Sequence, residues 1–482
     1  MGWYSGMRTL LNAGADPSMA IHFAVRSVDF EAVRLLLDFK CPLFVYPDAP
    51  KGFWHTYRGD SILAFASETY DKNLISMIAG RVASYRRELL TSAVDVLPPS
   101  QLRKLGVHPG RLRDPVLDYG AGAVANAMCR KGIRLKPMLW PGTYSTVYHL
   151  PKWACEDIGF KNTLLANGFH DHDAQDQWGA TPLLRACCLS ISSYTELEWQ
   201  SIVWHLDRGA DPLNVGIIGL PNCLHALAHA INMKPTTQLR HVISFYIDGL
   251  PLNPVKTNVV RRLNNLCGAN SRDSCSCYCS SSGCLSSTVL LKSYNGNAGW
   301  ENKKRWLSVW LQLSNLSEQQ QQVHYREACR LEIFERLKMA HTCCRFRSHY
   351  ERDFYKIPGI VFLSQEEQLN LQAEDEELKM CLEAYLELYD SLLGDFTGHF
   401  NQFWESWWEA LEAYLSAIKS KLEFNENSGS WNWVEDEGDG NETGSYMPDE
   451  KVIRRAFKRV LRADFIGFTS TWEESMPLFF RE

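Results

Sequence analysis

The residues best suited to chemistry are the cysteines of RDSCSCYCSSSGCLSSTVLLK, residues 272–292. Cys275, Cys277, Cys279 and Cys284 have the spacing C-x-C-x-C-x4-C in a stretch rich in serine and glycine. Such a stretch cannot form a well-packed helix. In an extended segment alternate residues face the same side, so the first three thiols can converge. Because thiolates are preferred ligands of zinc and similar metal ions, the spacing predicts a metal site.

A second group of candidate ligands follows the helix-like run ACRLEIFERLKMA and consists of His341, Cys343 and Cys344. Together the two segments supply six thiols and one imidazole, whereas a tetrahedral zinc ion takes four ligands. With this many thiolates available, we expect a closed structural site rather than a catalytic site that keeps a water position open. The expected ligand set is therefore Cys275, Cys277, Cys279, Cys284, His341, Cys343 and Cys344, with zinc as the expected ion.

Other interpretations of these residues remain open at this stage. The cysteines could be unliganded thiols of a flexible loop, or a redox-sensing group that forms local disulfides. A cysteine nucleophile needs a nearby base and a third group that orients the base. His341 lies near Cys343 and Cys344, but the sequence shows no orienting group. It also contains no Gly-rich phosphate loop and no HExxH motif, so we expect no catalysis.

Composition limits the class of protein. The chain has 482 residues, of which 45% are hydrophobic and 22% charged, as in a folded protein of two or three domains. A net charge of −6 argues against a nucleic-acid partner. No apolar run is long enough to span a bilayer, and the N-terminus does not resemble a secretory signal. We therefore expect an intracellular protein whose 15 cysteines are free thiols or metal ligands.

A repeated pattern occupies the first half of the chain. Its clearest copy is Trp178–Pro212, WGATPLLRACCLSISSYTELEWQSIVWHLDRGADP. Thr181 and Pro182 are suited to begin a helix, because threonine can cap free N–H groups and proline tolerates the first helical position. Gly209 is suited to end the second helix in a left-handed conformation. A related pattern runs from Leu10 to Pro42. The sequence therefore predicts stacked helical hairpins.

Further copies of this pattern fill the intervals. They cover Ser61–Gly80, Ala123–Leu135, Ser145–Asp176 and a stretch that ends at Asn253. The segment Arg81–Asp118 interrupts the period, and its Pro-Pro and Pro-Gly pairs fit a surface excursion or a helical hairpin.

The repeat motifs resemble those of the ankyrin-repeat family over roughly the first half of the chain. GFHDHDAQDQWGATPLL, the cysteine cluster and FERLKMAHTCC are also similar to ankyrin-type proteins of filamentous fungi. The resemblance implies a solenoid that binds a protein partner through an extended concave surface. The contact residues that it suggests are the turns His170–Trp178 and Asn214–Asn222, although these could be merely solvated turns.

The second half of the chain shows helical periodicity instead. Leu378, Leu382, Tyr385, Tyr389 and Leu392 form one apolar face, and Phe403, Trp407, Leu411, Tyr414, Ile418 and Leu422 form another. Residues 423–450 are acidic and contain no lysine or arginine, which predicts a disordered linker. The segment KVIRRAFKRVLRADF that follows it is a basic helix candidate.

Together these patterns predict an all-α protein. Degenerate ankyrin repeats at 1–84 and 118–256 flank an insert at 85–117. A Cys-rich junction at 257–300, a helical domain at 301–422, an acidic linker at 423–450 and a basic helix with its tail at 451–482 follow. The leading function is a non-catalytic scaffold that binds an unidentified protein, with a metal–thiolate junction. The alternatives are a zinc- or redox-dependent regulator, and an enzyme with a cysteine nucleophile in the helical half.

Overall fold

The computed structural model describes residues 2–44, 61–107, 116–142, 145–150, 157–176, 179–189, 196–216, 220–232, 254–292, 300–337, 339–342, 345–346, 360–361, 364–395, 403–404, 407, 422–425 and 430–433. Contacts divide the chain into two compact units. Unit 1 takes the described residues of Met1–Ala269 and of Gln312–Asn315. Unit 2 takes those of Asn270–Leu311, Leu316–His349 and Pro358–Glu482.

The described residues of unit 1 form helices that are joined by turns and loops. Its helices are α1 (Gly2–Asn12), α2 (Ser18–Arg26), α3 (Phe30–Asp38), α4 (Ile62–Ser67), α5 (Lys72–Val96), α6 (Pro99–Lys104), α7 (Ala121–Arg130), α8 (Ile158–Ala166), α9 (Pro182–Leu189), α10 (Glu196–Asp207), α11 (Cys223–Asn232) and α12 (Pro254–Cys267). Two 3-10 turns, Pro137–Leu139 and Val147–His149, lie between α7 and α8. The all-α prediction is therefore confirmed for this unit at the level of fold class.

The helices of unit 1 pack as consecutive hairpins that stack on one another. Helix α2 packs on α3 and on α4, and α4 packs on α5. Farther along, α9 packs on α10 and on α11, while α10 and α11 both pack on α12. The packed helices bury apolar faces in this arrangement, as α3 does with Val33, Leu36 and Leu37, whereas α1 buries only Leu11. Contacts between successive helices therefore supply the core of this unit.

The helix boundaries follow the predicted capping residues. The Thr181 hydroxyl accepts a hydrogen bond of 3.1 Å from the backbone N–H of Leu184, which caps α9. Gly14 and Gly209 have positive φ angles of 89° and 79°, the conformation predicted for the residues that end these hairpins. The local chemistry of these termini is therefore confirmed.

A buried histidine connects neighbouring elements of the stack. The His149 Nε2 atom lies 2.9 Å from the carbonyl oxygen of Ala180, and its Nδ1 atom lies 3.0 Å from the Thr146 hydroxyl. Because a carbonyl oxygen only accepts, Nε2 carries the proton and Nδ1 accepts from the hydroxyl. Burial lowers the pKa of His149 to about 4, which keeps the ring neutral at pH 7.

Helix α5 differs from the sequence prediction. The repeat pattern ended at Gly80 and placed an insert after it, but α5 continues through Gly80 to Val96. The reason is that the apolar period continues beyond the glycine, with Val82, Leu89 and Ala93 all buried. Leu89 and Ala93 join Leu102, Val124 and Met128 in a second apolar cluster. The helical-hairpin interpretation is thus the better one as far as residue 107, and residues 108–115 lie outside the described part.

Three turns of unit 1 lie side by side and form what we call the turn row: residues 116–120, residues 170–176 with Gly179 and Ala180, and residues 211–216. The first and second turns are joined where the Tyr119 N–H donates to Asp171 Oδ2 at 2.8 Å. The second and third are joined where the Gly216 N–H donates to the Gly179 carbonyl at 2.9 Å. Asn214 Nδ2 also donates to the Asp173 carbonyl at 3.1 Å.

Unit 2 is also dominated by helices. They are α13 (Ser286–Leu291), α14 (Trp300–Ser314, whose last residues group with unit 1), α15 (Glu318–Arg336), α16 (Gln365–Glu374) and α17 (Glu376–Asp395). The strands are the antiparallel pairs β1 (Arg345–Phe346) with β2 (Ile360–Val361), and β3 (Leu422–Asn425) with β4 (Ser430–Trp433). None of the helices described in either unit is long and apolar enough to cross a membrane.

Helix α15 is joined to α17 by paired charges. Arg326 contacts both carboxylate oxygens of Asp390, with its shortest distance 2.7 Å, and Arg330 lies 2.7 Å from Glu383. The predicted apolar face of α17 is buried at Leu378, Leu382, Tyr385 and Tyr389 but is partly exposed at Leu392. The face is therefore confirmed for its first four members.

The predicted disordered linker is wrong at its start. Residues 422–433 contain the β3–β4 pair, in which Phe424 lies opposite Trp431 and Leu422 lies opposite Trp433. Aromatic residues opposite each other stabilise paired strands. The aromatic residues alternate along these strands, but the acidic composition of the segment obscured that alternation in the sequence. Residues 434–450 and the basic segment 451–482 lie outside the described residues, as do Leu411, Tyr414 and Ile418.

Two glycines of unit 1 test whether the turn row is close-packed. An added Cβ on Gly179 (φ 83°) lies 2.6 Å from the backbone of Gly216, whereas one on Gly209 (φ 79°) meets nothing within 4 Å. Both alanine substitutions carry the left-handed penalty of about 1 kcal/mol. Gly179→Ala adds an overpacking cost of about 1–3 kcal/mol. We expect the urea midpoint, followed by circular dichroism, to fall further for Gly179→Ala than for Gly209→Ala. Equal midpoints would contradict the close approach.

Candidate metal centre

The Cys-rich loop, residues 270–285, is held by backbone contacts and by one carboxylate. Arg272 and Leu285 form an antiparallel bridge, and the Asp273 N–H donates to the Cys284 carbonyl at 3.1 Å. The Asp273 side chain accepts from the N–H groups of Cys275 at 3.0 Å and Cys284 at 2.6 Å. A single carboxylate therefore fixes the first and last cysteines of the motif relative to each other.

Gly283 makes this closure of the loop possible. It has a φ angle of 99°, and a Cβ at this position would overlap the Asp273 carbonyl oxygen. Only glycine fits such a left-handed position against a neighbouring backbone.

Four cysteines and one histidine converge in unit 2. The sulfur atoms of Cys275, Cys279 and Cys284 all lie within 4.8 Å of one another. The ligand atoms of Cys277, Cys279 and His341 form a second group that satisfies the same limit. Cys279 belongs to both groups. Cys277, Cys279 and Cys284 are buried, and Cys275 is partly exposed.

The distances within the cluster suit a tetrahedral metal site. The Cys279 and Cys284 sulfurs are 3.9 Å apart, and Cys277 Sγ is 4.0 Å from His341 Nδ1. Zinc–sulfur bonds of about 2.3 Å in a tetrahedron place two sulfurs about 3.8 Å apart. A disulfide requires about 2.05 Å. The observed sulfur–sulfur spacing is compatible with two ligands of one ion and is too long for a covalent bond.

His341 is positioned by the end of α15 and by α16. Its ring packs against Phe334, with centroids 4.6 Å apart. The N–H of the preceding Ala340 donates to the buried Asp375 carboxylate at 2.7 Å. His341 Nε2 lies 4.0 Å from Glu335 Oε1. A hydrogen bond from the distal nitrogen to a carboxylate is the usual arrangement that orients a metal-binding imidazole, and the Glu335 carboxylate lies beyond that distance.

Donors around the sulfurs favour negative charge on them. The buried Lys292 ammonium group donates to Cys284 Sγ at 3.0 Å. The Cys277 N–H points to Cys275 Sγ at 3.3 Å. Hydrogen bonds from charged donors and from backbone N–H groups stabilise anionic acceptors, and a metal-binding sulfur must be deprotonated.

Helix α15 serves as the platform for the loop. Its buried Glu327 accepts from the Ser281 hydroxyl at 2.7 Å and from Arg272 at 3.1 Å. Arg330 of the same helix donates to the Tyr278 carbonyl at 3.3 Å. Because His341 also follows α15, this helix carries both halves of the cluster.

The structure brings together five of the seven ligands predicted from sequence: Cys275, Cys277, Cys279, Cys284 and His341. Cys343 and Cys344 lie outside the described residues. Sequence reasoning missed Asp273, Glu335 and Lys292. The role of Asp273 could have been predicted, because an aspartate two residues before Cys275 fits an Asx turn. Glu335 and Lys292 depend on packing and had no local signal.

The predicted contact turns have mixed environments. His170 is exposed, and residues 170–176 and 214–216 belong to the turn row. Asn222, in contrast, is fully buried, where its side chain accepts from the His225 N–H at 3.0 Å. Its prediction as a contact residue is therefore wrong, because the residue caps α11. Residues 177–178 and 217–219 lie outside the described part.

A second polar cluster lies in the core of unit 1. The Lys161 ammonium group donates to Ser201 Oγ at 2.5 Å and lies 3.1 Å from His205 Nε2. Burial lowers the pKa of His205 well below its ordinary value, so the ring is neutral and can accept. All three side chains are at most 2% exposed. The cluster joins α8 to α10 and offers no surface to a substrate.

No protein-family model matches the sequence, and no curated protein or solved structure is significantly similar to it. The interpretation of the site therefore depends on the geometry of the chain itself.

Asp273 provides a test of how the loop is organised. Asp273→Ala removes the acceptor of two N–H groups and should lower zinc affinity about 10- to 100-fold, as the loss of outer-shell contacts does elsewhere. Zinc affinity is measured by competition with a chromogenic chelator. Glu376→Ala is the control, because that exposed carboxylate accepts from the Tyr278 hydroxyl at 2.6 Å but contacts no cysteine backbone. Equal affinities for the two variants would show that Asp273 does not organise the site.

Proposed function

We propose that this protein is a non-catalytic scaffold that binds a protein partner through unit 1 and is stabilised in unit 2 by a structural metal–thiolate centre. The observation that carries the proposal is the convergence of four cysteine sulfurs and one imidazole in a Ser- and Gly-rich loop. Zinc is the expected ion, because it combines thiolate and imidazole ligands in tetrahedral sites.

A structural role is favoured over a catalytic one by burial and by ligand number. Cys277, Cys279 and Cys284 are at most 1% exposed, so little room exists for a substrate or an exchangeable water. A site that offers enough thiolates to fill all the coordination positions of zinc is closed, whereas catalytic zinc keeps one coordination position open. The loop also offers few large apolar side chains, so metal coordination would contribute much of its stability.

The binding role in unit 1 is supported by the stacked hairpins and the turn row. Stacked hairpins of this kind, including those of the ankyrin family proposed here, place successive turns along one side of an extended surface. Tyr119 and Leu213 of the turn row are exposed by 48% and 51%. Exposed apolar side chains on the first and third turns of one row are suitable anchors for a protein partner.

One observation favours an enzyme as a second candidate. His341 lies between Cys277 and Glu335. Its Nδ1 atom is 4.0 Å from the Cys277 sulfur, and its Nε2 atom is 4.0 Å from Glu335 Oε1. This is the order of a nucleophile, a base and an orienting group. Burial of Cys277 and the adjacent Cys279 favour the metal centre over this alternative.

The metal centre is tested on the purified, reduced protein. We expect bound zinc, protection of the cluster thiols from iodoacetamide, and a melting temperature about 5 °C or more lower after chelation. Cys284→Ser should reproduce the loss of metal. Cys381→Ser should not, because this buried thiol of α17 belongs to neither ligand group.

A metal-free protein with freely alkylated cluster thiols contradicts the metal centre. Rapid alkylation of Cys277 alone, with loss of that reactivity in a Glu335→Gln variant, supports the nucleophile instead.

The binding surface is tested by quantitative affinity capture from extract of the source cells. Tyr119→Ser and Leu213→Ser should each reduce recovery of the same captured protein about tenfold, as expected for anchor residues. Leu266→Ser is the control, because this residue of α12 is also 51% exposed and lies outside the turn row. Equal recovery with all three variants rejects the turn row as the binding surface.

A further inference from the structure

We infer that Cys275 is a site of oxidative modification, at which a hydroperoxide converts the Cys-rich loop to a second state with a disulfide between Cys275 and Cys284. In that state the loop no longer binds a metal ion. Formation of the disulfide depends only on the thiols, whereas its competition with metal rests on the metal centre proposed above.

The backbone of the loop places Cys275 and Cys284 for a disulfide. Their N–H groups donate to the same atom, Asp273 Oδ1, at 3.0 Å and 2.6 Å. Their sulfur atoms lie within 4.8 Å of each other. A disulfide requires neighbouring backbones and two sulfurs about 2.05 Å apart. The backbone already meets the first requirement, and the two sulfurs must approach each other to meet the second.

Exposure decides which thiol of the group meets the oxidant. Cys275 is partly exposed, whereas Cys279 and Cys284 are buried. The Cys277 N–H donates to Cys275 Sγ at 3.3 Å, and such a donor stabilises the anionic form of sulfur that reacts with peroxides. A dissolved hydroperoxide therefore reaches Cys275 first, and the buried thiols lie next to the sulfur that it modifies.

The buried Cys284 thiol is the second member of the bond. The Lys292 ammonium group donates to its sulfur at 3.0 Å and stabilises negative charge on the attacking atom. Asp273 and Lys292 therefore favour Cys284 as the partner of Cys275. Cys279 satisfies the same distance limit, and peptide mapping distinguishes the two pairings.

The reaction has two steps. The Cys275 thiolate attacks one oxygen of the hydroperoxide, the O–O bond breaks, and Cys275 becomes a sulfenic acid while the other oxygen leaves and takes up a proton. The Cys284 thiolate then attacks the Cys275 sulfur, the S–S bond forms, and hydroxide leaves and is protonated to water. The two sulfurs lose two electrons, and the hydroperoxide gains them.

The disulfide and a bound metal exclude each other. Cys275, Cys279 and Cys284 form one group of ligand atoms. A metal-binding sulfur must be a thiolate, and the disulfide removes two of these three. Coordination in turn occupies the electron pairs that would attack the peroxide. We therefore expect the reduced loop to bind metal and the oxidised loop to release it.

The test uses the full chain, reduced and freed of metal by chelation. Hydrogen peroxide is added, remaining thiols are alkylated, and trypsin releases the peptide Asp273–Lys292, which contains every cysteine of the motif. Further cleavage after Tyr278 separates the first two cysteines from the last two. We expect mass spectrometry to show the two fragments joined by a Cys275–Cys284 bond that a thiol reductant removes.

Reaction rate and zinc uptake give the expected magnitudes. The exposed Cys129 of α7 is an internal reference, and Cys275 should be oxidised about tenfold faster than it. Zinc uptake should fall about tenfold after peroxide treatment and return on reduction. Zinc bound before the peroxide is added should slow formation of the bond about tenfold.

Variants separate the reacting thiols from a general effect of oxidation. Cys275→Ser should abolish the joined fragments and make zinc uptake resistant to peroxide. Cys381→Ser should react as the wild type does, because this buried thiol of α17 belongs to neither ligand group. Circular dichroism identifies any variant that fails to fold, and for these the peptide map of the wild type still decides the question.

The outcomes distinguish the two proposals. A bond between Cys279 and Cys284, or oxidation of Cys275 that stops at its acids, overturns the inference and leaves the metal centre intact. Oxidation of Cys275 no faster than that of Cys129 also overturns it. Formation of the Cys275–Cys284 bond in a chain that never binds zinc supports the modification site and overturns the metal centre.

Discussion

The Cys-rich loop must be compact without an apolar core, and the organisation of unit 2 depends on this constraint. Serine, glycine and cysteine provide little apolar surface, so burial alone cannot order the loop. Order comes instead from the Asp273 carboxylate, which binds two cysteine N–H groups, and from Glu327 of α15, which binds Ser281 and Arg272. A buried carboxylate is costly unless it is fully hydrogen-bonded, and these contacts meet that requirement. The proposed metal would add a covalent-like crosslink at the same place.

Unit 1 is stabilised by a different principle. Its hairpins bury apolar faces against their neighbours, and the turn row joins successive turns by backbone hydrogen bonds. Polar side chains are buried in unit 1 where nearby residues supply hydrogen-bond partners. His149, for example, is hydrogen-bonded to Thr146 and Ala180. Gly179 and Gly216 approach so closely that neither accepts a side chain. The turns therefore expose side chains such as Tyr119 and Leu213 on a backbone that these contacts hold in place.

The proposed function combines these two principles. In this proposal unit 1 would supply the binding surface, and a metal–thiolate centre would stabilise a loop that its own composition cannot. The second unit also contains charged pairs such as Arg326 with Asp390, which fix α15 against α17. Since α15 carries contacts to the loop and precedes His341, any change in ligand binding at the cluster would act directly on this helix.

The sequence by itself determined the features that depend on local chemistry. Thr181 and Gly209 marked helix termini correctly, because capping and left-handed conformations are properties of single residues. The alternation of cysteines in 275–279 predicted that Cys275, Cys277 and Cys279 face one side. That prediction is only partly correct, because the chain turns at 278–279 and Cys275 and Cys277 fall in different groups. The apolar spacing in 378–389 likewise predicted a buried helix face.

Tertiary structure alone decided the rest. Helix α5 passes Gly80 because Leu89 and Ala93 pack against α6 and α7, and β3 pairs with β4 because aromatic residues meet across the strands. Glu335 and Lys292 reach the cluster from positions with no sequence signal. The approach of Cys275 to Cys284, and of Cys277 to His341, is also tertiary. Spacing along the chain limits which donors can meet, but only the folded path of the backbone sets the distances among them.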